Sequence, residues 1–403
     1  MGVEKKNKGF ISLNEIKGKS GEIEAYNPFP WYKKMRKESP IYYDQNIGAC
    51  NVFLYEDVKR VLSDKETFSS RTQKPQSSLS KTLINQDPPK HTQVRSIINR
   101  SFTPRVMKAW EPRIQAIADE LLQRMDGKEK IDIYKDLAHP LPIIVISELL
   151  GVPSEHIDQF KAWSDILVSS PKSSDKEDMK EFLATRAKTE KELAEFFQGI
   201  IAEKREKLGD DLISILIQAE EEGLKISEEE LIPFCNLLLV AGNETTTNLL
   251  TNTFFTIMEH EGVYDELKND LSLIPSMIEE TLRYRSPVQV LRRRVAQETT
   301  LGGQHLQKDD IVVVWLGSAN RDENKFEDAS IFDIRRKPNP HVAFGHGIHF
   351  CLGAPLARME ATIAMTAFIK KYSSVSFSEE FTLDPIENSA VYGLRSFPVN
   401  VTN

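Results

Sequence analysis

The sequence predicts a mainly α-helical chain with small β-sheets, an α+β fold. Three observations carry this. Helical periodicity with regular stops fills the stretch from about Pro89 to Leu224. One apolar-rich run, from Ser227 to Met258, is too long for an ordinary globular helix. Short strand-like runs are confined to the opening, the stretch after Pro287 and the C-terminus. Over 403 residues no Gly/Ser- or Pro-rich linker and no internal period appears, so residues 1–403 read as one folded unit. Apolar residues make up 40% and charged residues 28%, which suits a soluble globular protein.

In chain order, Ile41–Asp44 and Asn51–Leu54 read as a hairpin of short strands, followed by a short helix over Glu56–Leu62. Ser69–Ser80, rich in Ser, Gln, Lys and Pro, reads as a long loop. The helical stretch then has stops at Pro104, Gly127, the Pro140/Pro142 pair, Gly151-Val152-Pro153 and the polar run Ser169–Asp178. Ser227 and Glu230 form a capping box for the long helix, which spans roughly 50 Å at 1.5 Å per residue. Pro233 should bend its first turns, and Gly262 is its stop. A helix over Ile274–Arg285 ends before Pro287. Strands follow at Gln289–Ala296, Thr299–Leu301 and Ile311–Leu316, then an irregular stretch Ser318–Asn339. A last helix covers Pro355–Tyr372, and the end of the chain returns to short strands.

The net charge of −8 argues against a nucleic-acid partner. The longest apolar stretches, such as Leu141–Val145 and Leu237–Val240, cannot span a bilayer. The opening Met-Gly has Lys6 where a myristoylation signal needs Ser or Thr, and no apolar signal core follows. The expectation is a cytoplasmic monomer with no membrane partner. Cys50, Cys235 and Cys351 are too few, and odd in number, for a disulfide framework. Cys50 and Cys235 sit among apolar neighbours and read as packing residues.

Cys351 lies in Phe344-Gly-His-Gly-Ile-His-Phe-Cys351-Leu-Gly353, the densest signal in the chain. The glycines permit a tight loop that approaches a flat ligand closely. A helix starts just after the cysteine, and its N-terminal dipole favours a thiolate. Backbone N–H groups beyond the sulfur can hydrogen-bond to it and tune its electron donation. Two other readings stand beside this one: a structural cysteine near two loop histidines, and a zinc site using His346, His349 and Cys351. Zinc prefers four ligands, and no partner pair with metal spacing occurs elsewhere.

This segment resembles the heme-binding loop of the cytochrome P-450 family. The resemblance implies a triangular helical prism whose long central helix lies over heme b, iron protoporphyrin IX. It makes Cys351 the axial thiolate ligand, with Phe344 and Gly353 as parts of the cofactor loop. A thiolate ligand pushes electron density onto the iron and favours O–O cleavage.

Three further constellations match the family in order, so the resemblance covers nearly the whole chain. In Ala241-Gly-Asn-Glu244-Thr245-Thr246, poor helix formers sit in the middle of the long helix. The Thr245 hydroxyl can bond back to the Ala241 carbonyl and open a small polar groove. The resemblance makes this the dioxygen groove, with Glu244 and Thr245 relaying protons. Many members have Asp at the position of Glu244. In Glu280-Thr-Leu-Arg283 the two charges share a helix face. In the family this pair is buried and tied to segments that match Asn320-Arg-Asp322 and Phe332-Asp-Ile-Arg335. In His91-Thr-Gln-Val-Arg95 a His and an Arg lie four apart. The family uses this pair for the heme propionates, which suit the planar fork of Arg. His349 and Arg294, with Arg292 and Arg293 as rivals, complete that set.

No flavin or iron–sulfur motif occurs, so electrons are expected from a separate ferredoxin or flavodoxin with its NAD(P)H-dependent reductase. Lys90 to Arg113 holds six Lys/Arg and one acidic residue, Glu111. Arg100, Arg105, Lys108 and Arg113 are the expected basic patch for such an acidic partner. The family's pocket positions map onto Leu83, Ile84, Leu238, Val288, Val290, Leu291 and Val391, all aliphatic. They suit a lipophilic substrate such as a fatty acid, terpenoid or steroid-like compound. The run Ser169–Asp178 is the expected substrate lid. The resulting expectation is an EC 1.14-type monooxygenase. The alternatives are a peroxide-driven relative and a non-catalytic heme sensor. Glu244 and Thr245 argue for the dioxygen route, because a peroxide user needs no such relay.

Overall fold

The run that looked too long for an ordinary helix is a single α-helix, Glu228–Glu259, of 32 residues. It belongs to a computed structural model that describes residues 26–45, 48–71, 82–169, 175–221, 228–386 and 390–403. Helices Pro140–Leu150, Ile157–Val168, Lys176–Glu206, Ile274–Tyr284 and Ala354–Lys371 all pack against it. Burial on every side explains its weak amphipathicity. Thr245, Thr251, Thr253 and Thr256 are tolerated because their hydroxyls return to carbonyls of the same helix. Thr253 donates to Leu249 O at 2.7 Å and Thr256 to Asn252 O at 2.6 Å. Ser227, the expected cap, lies outside the described residues, as do most of the Ser69–Ser80 loop and residues 170–174 of the expected lid.

Several prolines that looked like stops are starts. Pro104 opens Pro104–Gln123, where the Thr103 hydroxyl accepts from Val106 N, and Pro140 opens Pro140–Leu150. A proline in the first turn sacrifices no hydrogen bond, because that N–H has no partner inside the helix. Gly151 does terminate, with φ +79° in the left-handed region. Helix Lys176–Glu206, 31 residues long, carries i,i+4 ion pairs such as Lys188–Glu192 and Lys191–Glu195. A π-helical turn, Tyr134–Ala138, interrupts the regular pattern and packs against the central helix.

The strands are β1 Ile41–Asp44, β2 Ala49–Val52, β3 Phe68–Ser69, β4 Lys130–Asp132, β5 Val290–Val295, β6 Thr299–Leu301, β7 Gln304–Leu306, β8 Ile311–Trp315, β9 Ser374–Phe377 and β10 Pro398–Thr402. One sheet has the order β1-β2-β8-β5-β3, antiparallel except for the parallel β2–β8 pair. The first hairpin thus joins a strand from much later in the chain, Ala49 lying opposite Ile311 of β8. A second sheet, β4-β10-β9, ties the C-terminus to the middle of the chain. β6 and β7 form a hairpin across Gly302 and Gly303, both at positive φ. Among the described residues, no helix is long and apolar enough to cross a membrane.

Candidate active site around Cys351

The cysteine loop is set by its backbone. Gly345 and Gly347 have φ +73° and +71°. A Cβ on Gly347 would lie 2.8 Å from the Leu62 carbonyl oxygen, so only glycine lets the loop rest on helix Tyr55–Ser63. The Cys351 N–H donates to the Phe344 carbonyl at 2.9 Å, and helix Ala354–Lys371 begins three residues later. Cys351 keeps a solvent-reachable side although protein crowds it. Burial raises its thiol pKa; the N–H groups of Gly353 and Ala354, and the charges of Arg95 and Arg358, oppose that rise. Cys50 and Cys235 are fully buried. The zinc alternative lacks a ligand set. Among the described residues no group of three or more His, Cys, Asp or Glu side chains could hold a metal ion, so His346, His349 and Cys351 do not converge.

Beside the loop, the structure gathers three of the four residues expected at the propionates. The His91 and His349 rings stand 4.3 Å apart, centroid to centroid. Arg95 reaches from the same helix as His91 to the Phe350 carbonyl, 2.8 Å away. Neither ring nitrogen of His91, nor Nε2 of His349, has a hydrogen-bond partner, and all three atoms are buried. Burial, then the Arg293 charge, holds the His349 imidazole down to about 3, and burial lowers that of His91 as well. Orphaned donors in a protein interior are rare and point to a group that completes them.

Arg294 is a correction. Its guanidinium pairs with Asp309, whereas Arg293, 7% exposed, acts on His349. Successive side chains on β5 point to opposite sides, so only one of two adjacent arginines can face the loop. Burial pushes the Arg293 guanidinium down to about 10. A buried imidazole, a half-buried one and two arginines next to an approachable thiol fit the anionic edge and the iron of a heme.

On the central helix, the Thr245 hydroxyl donates to the Ala241 carbonyl at 2.8 Å. Burial raises the Glu244 carboxyl to about 7. Glu244 opens on a cavity of about 300 Å³ whose lining includes Tyr134, His139, Asp165, Asn248 and Arg395. His139 Nε2 lies 2.9 Å from Asp165 Oδ1. Sequence reasoning missed these neighbours, because the π-helical turn and the C-terminal segment meet Glu244 only in the folded chain.

Glu280 and Arg283 are both fully buried and pair through two contacts of 2.8 and 2.7 Å. Arg283 also donates to the carbonyls of Asn320, Ala329 and Ile331. Glu280 accepts from Asp333 N, Arg336 Nε and Asn339 Nδ2. The arginine of this segment that reaches Glu280 is Arg336; Arg335 turns outward to Glu266.

The pocket positions divide. Val288 and Val391 meet in an isolated β-bridge, and Leu291 lies against the cysteine loop at Gly345. Leu83 is buried, Leu238 half-buried and Ile84 half-exposed. Val290 is 3% exposed and belongs to the main core with Val313 and Trp315. In the basic patch Arg100, Arg105 and Lys108 are exposed. Arg113 is a correction, because Glu148 and Glu120 neutralise it.

Residues 24–396 match the sequence profile of the family described as Cytochrome P-450. The chain is 56% identical over 386 residues to the YjiB cytochrome P-450 of Bacillus subtilis, covering 96% of each chain. The crystal structure of CYP109B1 from Bacillus subtilis is 55% identical and superimposes with TM-score 0.87, covering 93% of this chain and 99% of that one. The structure of CYP109E1 from Bacillus megaterium in complex with testosterone is 48% identical, with TM-score 0.89 and coverage of 94% and 99%. With a helical body of the same shape, a glycine-shaped cysteine loop and unpaired donors beside it, the chain belongs to the cytochrome P-450 family of heme-binding monooxygenases.

Proposed function

We propose that this chain hydroxylates a lipophilic small molecule with dioxygen, using heme held at Cys351 and electrons from a separate ferredoxin or flavodoxin. The observation that carries the site assignment is the set of unpaired, buried imidazole nitrogens of His91 and His349 beside the Cys351 loop. Bound heme supplies the iron at which dioxygen is activated. The chain's own residues do the rest. Cys351 ligates the iron as a thiolate, helped by the N–H groups of Gly353 and Ala354. His91, His349, Arg95 and Arg293 hold the propionates. Glu244, poised near neutral pH, takes a proton from the polar cavity on its side of the helix and passes it towards Thr245. That relay favours the dioxygen route over a peroxide-driven one.

Aliphatic Val288, Leu291 and Val391 support a lipophilic substrate, and the steroid bound to CYP109E1 puts steroid-like compounds first among candidates. Exposed Arg100, Arg105 and Lys108 support an acidic redox partner met from solution in the cytoplasm. The test is the absorption spectrum of the reduced protein under carbon monoxide. A Soret band at the long-wavelength position of thiolate-ligated heme, lost in Cys351→Ser, is the expected result. A band at the position of histidine-ligated heme in the native protein would overturn the assignment.

A further inference from the structure

Glu279, next to the buried Glu280, faces the other way. Arg358, on the helix that follows Cys351, donates to its carboxylate through Nε at 2.6 Å and Nη2 at 2.8 Å. His341 Nε2 lies 3.1 Å from the same carboxylate. His341 Nδ1 accepts the Ala343 N–H at 3.3 Å, so the ring proton belongs on Nε2, pointing at Glu279. Against the opposing effect of burial, Arg358 and His341 hold the Glu279 carboxyl down to about 2. The pair is therefore one full charge of each sign.

Arg358 also lies over the Phe344 ring, 4.5 Å from its centroid. The Phe344 carbonyl in turn accepts the Cys351 N–H. The guanidinium thus rests on the thiolate loop at Phe344, and Glu279 sits behind it. A positive charge here stabilises an electron-rich centre, and a carboxylate behind it cancels that effect at the sulfur.

We propose that Glu279 and Arg358 are a matched charge pair that sets the reduction potential of the iron bound at Cys351, with His341 and Phe344 as the parts that hold the pair against the loop. This rests on Cys351 being the iron ligand. Glu279 and Arg358 are positioning residues in this scheme, since neither touches the iron or the substrate.

The test is redox titration of the purified holoprotein and its variants. Glu279→Gln leaves the Arg358 charge uncancelled and shifts the potential positive. Arg358→Gln leaves the Glu279 charge and shifts it negative. The double variant returns towards the native value, and Arg358→Lys, which keeps the charge without the fork, stays near it. Shifts of the same sign in both Gln variants would show that the pair acts only by holding the loop, and overturn the proposal. So would unchanged potentials. If Glu279→Gln fails to retain heme, Arg358→Lys against Arg358→Gln decides, because equal shifts in those two also overturn it. A native protein without the thiolate-type carbon monoxide band would instead sink the Cys351 assignment, a failure read before any variant is made.

Discussion

Thr245 spends its hydroxyl on the carbonyl of Ala241, four residues back on the same helix. That bond competes with the helix ladder and leaves a polar notch in an apolar wall. Replacing Thr245 by Ala is expected to leave heme binding intact while product per NAD(P)H falls and peroxide accumulates. The loss should lie towards the low end of the roughly 10²–10⁴-fold that a positioned proton donor contributes. Parallel assays of NAD(P)H, product and peroxide read it, and unchanged coupling removes Thr245 from the relay.

Glu244 gives a pH signature. Burial raises its carboxyl to about 7, so the folded chain holds this proton more tightly than the unfolded chain does. Its contribution to stability is therefore present at acidic pH and lost as pH rises through about 7. The acid form needed for proton delivery disappears over the same interval. Coupled turnover should fall as pH rises through about 7, and Glu244→Gln should be slow at every pH with that limb gone. A native profile that is flat from pH 6 to 8 would count against the relay.

Glu280 is completely buried among Arg283, Arg336, Asn339 and the Asp333 N–H. Glu280→Ala leaves Arg283 as an unpaired buried charge, which costs about 3–5 kcal/mol. We expect a much lower melting temperature and loss of heme from the purified protein. A holoprotein of native stability would contradict the supporting role.

Two of the three arginines of β5, Arg293 and Arg294, separate the sequence expectation from the structural one. Arg293→Ala should speed heme loss by roughly 10–100-fold, the worth of a hydrogen bond to a charged group at about 1.5–3 kcal/mol. Arg294→Ala, which breaks only the surface pair with Asp309, should leave it nearly unchanged. Transfer of heme to a scavenging apoprotein measures both, and the reverse order would restore Arg294.

Arg105 and Lys108 are exposed, while Arg113 is already paired. Charge reversal at Arg105 and Lys108 together is expected to slow reduction by an acidic ferredoxin at low ionic strength, with the difference fading as salt is added. Arg113→Glu should mainly disturb the local Glu148 and Glu120 contacts. Stopped-flow reduction at two salt concentrations distinguishes them.

The local patterns were legible because they act over short distances along the chain. The long apolar run gave the central helix to within about a residue at its visible end. The Gly-rich spacing around Cys351 announced a tight loop, and the four-residue step from Ala241 to Thr245 announced the hydroxyl bond. Prolines 104 and 140 were read as breaks because the rule for proline has two outcomes. Which one applies depends on whether the first-turn N–H would have had a partner.

Residue type and spacing by themselves determined the fold class, the tight turn of the cysteine loop and the bond from Thr245 to the Ala241 carbonyl. Three consecutive arginines on β5 could not be told apart that way, since facing is fixed only when β5 pairs with β8 and β3 and one side turns to the loop. The same holds for the cavity beside Glu244, assembled from a π-helical turn, the central helix and Arg395 near the C-terminus, and for the Glu279–Arg358–Phe344 stack. Several of these contacts join residues far apart along the chain, Glu279 with Arg358 and Phe68 with Val295 among them. The tertiary structure decided them, because burial and charge act through space and a periodicity of two or 3.6 residues carries no record of a partner that far along the chain.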